Sequence, residues 1–105
     1  MRIIIIGAGK VGYSLAKQLS KENHNVTVID SSLNTIEYIN SNLDVFTICG
    51  NGANFEIQKA ADVGRANLVI AATDLDEVNM LSCIVAKKLG AQHTIAHTWE
   101  VYFSS

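Results

Sequence analysis

Arg2-Ile3-Ile4-Ile5-Ile6-Gly7-Ala8-Gly9-Lys10-Val11-Gly12 joins four consecutive isoleucines to the spacing G-x-G-x-x-G. An unbroken apolar run of this kind suits a parallel strand covered on both faces. A helical period begins inside the glycines. Val11, Leu15 and Leu19 recur every four residues, and Gly12 and Ala16 add a second row, which predicts a helix over about 9–22. The three glycines have separate tasks. Gly7 permits a tight turn out of the strand, Gly9 lets the backbone approach a pyrophosphate, and Gly12 lets the helix lie close to the sheet. Asp30 closes the next apolar run, 18 residues past Gly12. A merely tight β–α turn would need the glycines but not the carboxylate. Strand, loop, helix and distal Asp30 together predict a mononucleotide or dinucleotide site, with phosphates facing the free N–H groups and positive dipole end of the helix.

The same alternation of periods continues. Residues 26–30 read as a second strand, and Ser31 or Ser32 can cap a helix carrying Leu33, Ile36, Ile39 and Leu43 on one stripe. Residues 45–49 form a third strand closed by Gly50-Asn51-Gly52, and Asn54 can cap a short helix over 55–61 before a turn at Asp62-Val63-Gly64. Residues 68–72 are a fourth strand. Asp74-Leu75-Asp76-Glu77 has the form of a capping box for a helix ending at Leu89, with Gly90 as its stop. Residues 94–97 make a fifth strand. Alternating strands and helices with short links predict an α/β, Rossmann-like fold: an open parallel sheet in the order 3-2-1-4-5, helices on both faces, right-handed crossovers and no sixth strand.

In such sheets ligands lie beyond the carboxyl ends of the strands, at the switch point between strands 1 and 4. The candidates at those ends are Gly7, Ala8, Gly9, Lys10, Val11 and Gly12, then Asp30 and Ser31, Gly50 and Asn51, Ala72, Thr73 and Asp74, and His97. Asp30 can accept both ribose hydroxyls and would repel a 2′-phosphate, which neither Ser31 nor Ser32 could neutralise. NAD or an adenosine nucleotide is therefore expected rather than NADP. Asn51 suits either an adenine edge or a turn tolerating left-handed backbone. Lys10 can reach an outer phosphate or stand solvated. Asp74, Asp76 and Glu77 are the one acidic cluster, which helix capping explains without a metal. Asn79 lies within reach of the cleft or satisfies backbone groups. Of the histidines, His24 falls in a loop, His93 precedes a strand, and only His97 ends at the cleft.

Size and composition set the remaining bounds. The 105 residues make one domain, able to bury roughly two-thirds of its unfolded surface. Hydrophobic residues are 49% of the chain and mean hydropathy is +0.21, enough for a sizeable core. No apolar run approaches the ~18 residues of a membrane span, and the start of the first strand at Arg2 leaves no room for a signal peptide. A net charge of −2 offers no electrostatic reason to expect nucleic acid. Cys49 and Cys83 read as reduced thiols of a cytoplasmic protein, and the Asn25-Val26-Thr27 sequon, which opens a buried strand, as chance. No substrate pocket or acid–base group for hydride transfer accompanies the glycine loop. The nucleotide is thus expected as a signal rather than a reagent, the alternative being the cofactor half of an NAD-dependent oxidoreductase completed by another chain.

Several strings carry a more specific likeness: IIIIGAGKVG at the start, VID at Asp30, the glycine and Asn51 after strand 3, KAADV before strand 4, and AATDLDEVNM after it. The last has the pattern T-x-x-DE-x-N, which ordinary dehydrogenases do not carry. Over residues 1–97 the chain resembles the TrkA N-terminal family, also called RCK or KTN domains. The resemblance implies binding of NAD(H), or of ATP, ADP or AMP, without turnover. It implies pairing into a homodimer or higher homo-oligomer and docking on a membrane potassium-pore subunit from the cytoplasmic side. It places the nucleotide against Gly7, Ala8, Gly9, Lys10, Val11, Asp30, Asn51, Thr73 and Asp74. The chain departs from the family where an arginine would close strand 5. Here His97 stands instead, and 98–105 read as a divergent or truncated tail in which Trp99, Val101 and Phe103 alternate as in a short strand or an interface segment.

Overall fold

A computed structural model describes residues 1–98 of the chain. The strands are β1 (Arg2–Ile6), β2 (Asn25–Asp30), β3 (Phe46–Cys49), β4 (Leu68–Ala71) and β5 (His93–Ala96). They form one parallel sheet in the order β3-β2-β1-β4-β5, as the sequence leads one to expect. The helices are α1 (Lys10–Lys21), α2 (Leu33–Asn42), α3 (Phe55–Ala60) and α4 (Asp76–Leu89), with a 3-10 turn at Val63–Arg65.

The isoleucine run explains the layering. Successive side chains of a strand point to opposite faces, so Ile3 and Ile5 enter one core and Ile4 and Ile6 the other. The first core packs Val26, Val28 and Ile70 against Ala16 of α1 and Ile39 of α2. The second sets Ile29, Val69 and Ala71 beneath Ala61, Val63 and Ala86. All four isoleucines are at most 1% exposed. Full burial of each is worth about 1.5–3 kcal/mol, so a polar residue at any of them would unpair a layer.

Helix starts differ in a way that matters for the site. Ser32 caps α2, its hydroxyl accepting from the Thr35 amide at 3.3 Å, and Asn54 caps α3 by accepting from the Ile57 amide at 3.0 Å. The N-cap of α1 is Gly9, without a capping side chain or an acidic residue in the first turn. Its end is left open.

Two expectations shift. The capping box at Asp74 does not form: Leu75, in extended backbone, is the N-cap of α4 and no side chain caps it. The Thr73 hydroxyl accepts instead from the Leu75 amide at 3.3 Å, so the turn is organised one residue earlier. The fifth strand covers His93–Ala96, and His97 lies just past its end. The alternating segment around Trp99 lies outside the described residues. Among them, no helix is long and apolar enough to cross a membrane.

Candidate nucleotide-binding cleft

Beyond the carboxyl ends of β1 and β4 the switch point opens into a cleft of about 560 Å³, within the range of small-molecule sites. Its wall is built from the loop after β1, with Gly7, Ala8, Gly9 and Lys10; from Asp30 and Ser31 after β2; from Gly50 and Asn51 after β3; and from Ala72, Thr73 and Asp74 after β4. The predicted candidates Val11, Gly12 and His97 are not on it. Ile6, Ile29, Thr35, Gly52, Leu75 and Val78 complete the lining. Thr35 and Val78 sit in the first turns of α2 and α4, which point at the cleft because every helix follows a strand end.

The glycine loop has the geometry that each glycine's task requires. Gly7 has φ of +93°, and a Cβ there would stand 2.7 Å from the Thr73 backbone nitrogen. At Gly12 a Cβ would collide with the Gly7 carbonyl, so α1 sits directly on the turn that precedes it. A Cβ on Gly9 would meet nothing within 4 Å. The space it would enter is open, and Gly9 lies on the cleft wall, where a ligand backbone can approach. α1 starts at Lys10 on this wall with Gly9 as its N-cap, which puts the positive end of its dipole at the opening, and Lys10 stands exposed there.

Asp30 binds its own protein before any ligand. Oδ2 accepts from the Ala8 amide and Oδ1 from the Ser32 amide, each at 2.8 Å. Each carboxylate oxygen still has a lone pair for a hydroxyl. Asn51 is a turn residue: its Oδ1 accepts from the Ala53 amide at 2.9 Å. Its backbone is not left-handed, since positive φ among the described non-glycine residues occurs at Asn23 and Asp62. Asn51 itself lines the cleft.

The floor at β4 is fixed by Asn79, which is fully buried on α4 and bonds the Thr73 amide, hydroxyl and carbonyl. His97 is half-buried behind it, its amide donating to the Ala71 carbonyl at 2.8 Å. Cys49 is exposed beside the cleft, with its thiol 3.6 Å from the Ser31 carbonyl. Burial raises the Cys83 thiol above its ordinary pKa, partly opposed by bonds to Thr94 and the Ala71 backbone. Among the described residues, no cluster of three or more His, Cys, Asp or Glu could hold a metal ion. From Gly9 and Lys10 a groove of about 410 Å³ continues between α1 and α2, past Tyr13 and Tyr38, whose rings lie 5.6 Å apart.

The model of the TrkA-N domain matches residues 3–101. The Trk system potassium uptake protein TrkA homolog of Archaeoglobus fulgidus is 47% identical over 95 residues, which are 90% of this chain and 21% of that protein. The chain thus spans about a fifth of that relative's length. In solved structures the fold recurs in the Kef CTD of Shewanella denitrificans in AMP-bound form, with a TM-score of 0.75 and 24% identity over 90% of this chain and 57% of that one. It recurs in the GsuK channel bound to NAD, with a TM-score of 0.73 and 16% identity over 90% of this chain and 21% of that one. Oxidoreductases share the same scaffold, so likeness of shape shows the fold alone. The family match covers nearly the whole sequence, including the glycine loop and the Thr73–Asn79 turn. The chain belongs to the TrkA-N domain family.

Proposed function

We propose that this chain is a regulatory nucleotide-binding module of a potassium-uptake system, which senses NAD(H) or an adenine nucleotide and acts on a membrane pore subunit. The observation that carries the reading is that the uncapped start of α1 and the Asp30 carboxylate line one cleft. That pair accommodates a pyrophosphate and an unphosphorylated ribose at once. The relatives are potassium uptake proteins, which supplies the process. The titratable side chains on the wall are Lys10, Asp30 and Asp74, and Asp30 already holds two amides. This suits a ligand that is held rather than transformed. As a switch, the module works as an assembly of copies at the inner face of the membrane, with two nucleotides stabilising two conformations unequally.

Calorimetry with NAD, NADH, ATP, ADP and AMP tests the reading. Saturable binding of at least one is expected, without turnover and with at least roughly ten-fold preference for NAD over NADP, the worth of about 1.4 kcal/mol. Failure to bind any of them sinks it. The cofactor half of an NAD-dependent oxidoreductase is the competing reading, since the glycine loop and distal carboxylate would serve either. Sustained hydride transfer by the protein with a genomic-neighbour partner would establish it instead.

A further inference from the structure

The amide of Asn79 uses all of its usual hydrogen-bonding capacity inside the protein. Oδ1 accepts from the Thr73 amide at 2.8 Å and from the Thr73 hydroxyl at 2.6 Å. Nδ2 donates to the Thr73 carbonyl at 3.0 Å and to the His97 carbonyl at 2.8 Å. The residue is 0% exposed. Nothing in helix propensity favours asparagine in the first turns of α4, so these four bonds account for it. Three go to a residue of the cleft wall. The fourth goes to the residue at which the chain leaves β5.

His97 is thereby fastened at both of its backbone polar groups, its N–H to the Ala71 carbonyl on β4 and its carbonyl to the Asn79 side-chain amide. A shift of Thr73 must either break a buried bond of Asn79, which strands a polar group away from water, or carry Asn79 with it. If Asn79 moves, the His97 carbonyl follows.

We infer that Asn79 is a positioning residue that holds Thr73 toward the ligand and couples occupancy of the cleft to the chain segment leaving β5 at His97. The inference rests on the nucleotide reading of the cleft. Asn79 touches no ligand in this scheme; it sets the turn and relays its position.

The sequence supplies a reporter, since Trp99 is the single tryptophan and follows His97 by two positions. The 105-residue chain is titrated with NAD and, separately, with AMP, reading heat for affinity and Trp99 emission for coupling. Emission is expected to change with the same midpoint as the heat. Asn79→Asp keeps the acceptor toward Thr73 and turns the two donor contacts into carboxylate–carbonyl repulsion. It is expected to raise Kd about ten-fold, as loss of a buried bond implies, and to cut the emission change at saturation at least roughly five-fold. A residue that only packs would alter stability and leave the signal per bound nucleotide intact. Full amplitude in a saturated Asn79→Asp protein overturns the relay. Should that variant not fold, NMR of the wild type decides: the Asn79 side-chain amide and the His97 backbone amide are expected to shift together at the calorimetric midpoint. Heat without movement at either residue overturns the relay and leaves the nucleotide reading standing. No heat with either nucleotide overturns both.

Discussion

The Ala8 amide donates to Asp30 Oδ2 at 2.8 Å, tying the glycine loop to the end of β2 across 22 positions of sequence. The other oxygen takes the Ser32 amide at the same distance, which sets the entry to α2. Asp30 therefore has two roles that substitution will expose together. Asp30→Ala is expected to weaken nucleotide binding by about 1.5–3 kcal/mol and to lower fold stability by about 1–3 kcal/mol, through unpaired loop amides. Calorimetry and urea unfolding measure the two separately. Unchanged affinity in a folded variant would refute the ribose assignment while leaving the structural role intact.

The three loop glycines should separate in the same way. A Cβ at Gly9 enters open cleft, whereas at Gly7 and Gly12 it meets backbone. Gly9→Val is expected to abolish nucleotide binding with a stability change of about 1 kcal/mol or less. Gly7→Ala and Gly12→Ala are expected to lose about 2 kcal/mol or more of stability, from strain at positive φ in the first and helix displacement in the second. Thermal unfolding beside calorimetry gives both readings. A Gly9→Val protein that binds normally would mean that the phosphates do not pass over this loop.

Much of this architecture was legible because the sequence states it redundantly. Ile3, Ile4, Ile5 and Ile6 demand a strand covered on both faces, and Val11, Leu15 and Leu19 demand a helix directly after it. Parallel order and the switch-point cleft then follow from chain handedness. The start of α4 departs from the local pattern for a physical reason. Asp74-Leu75-Asp76-Glu77 satisfies a local capping pattern, but the turn is held by Asn79, six residues from Thr73, in the backbone-satisfying role that the sequence offers for it beside reach to the cleft. The sequence places the fifth strand at 94–97 with His97 at its cleft end, whereas β5 covers His93–Ala96 and His97 lies past it, off the cleft wall. On a half-exposed edge strand the apolar alternation is too weak to fix an end. Thr35 and Val78 carried a findable signal: each lies in the first turn of a helix leaving a strand that ends at the cleft.

The two thiols should react at very different rates. Cys49 is exposed at the cleft's edge, whereas Cys83 is half-buried and its thiol is raised by that burial. With a thiol reagent near pH 8, Cys49 is expected to label first, and saturating nucleotide to slow it, since its neighbours Gly50 and Ser31 line the cleft. The Cys83 shift also has a consequence for stability. A thiol raised in the folded state keeps its proton above the unfolded pKa of about 8.5, so the folded form binds more protons there and stability falls as pH rises further. Cys83→Ser, whose hydroxyl does not titrate in this range, should flatten that alkaline decline. An identical decline in the serine variant would place its origin elsewhere.

Gln58 and Ser82 make the last test, one of packing rather than of ligand. Gln58 is fully buried and its Nε2 donates to the Gly52 carbonyl at 2.8 Å and the Ser82 carbonyl at 2.9 Å, joining the cleft's β3 wall to α4. Its Oε1 and the Ser82 hydroxyl are both buried without a hydrogen-bond partner among the described residues. The two groups should therefore respond in opposite directions. Ser82→Ala removes a desolvated hydroxyl and no bond, so stability is expected to hold or rise by up to about 1 kcal/mol. Gln58→Leu is nearly isosteric but strands the Gly52 carbonyl, and should cost about 1–3 kcal/mol. Urea unfolding of both single variants and the double measures these terms. A loss in Ser82→Ala comparable to that in Gln58→Leu would show that the hydroxyl is bonded after all, and that the pair acts as one network.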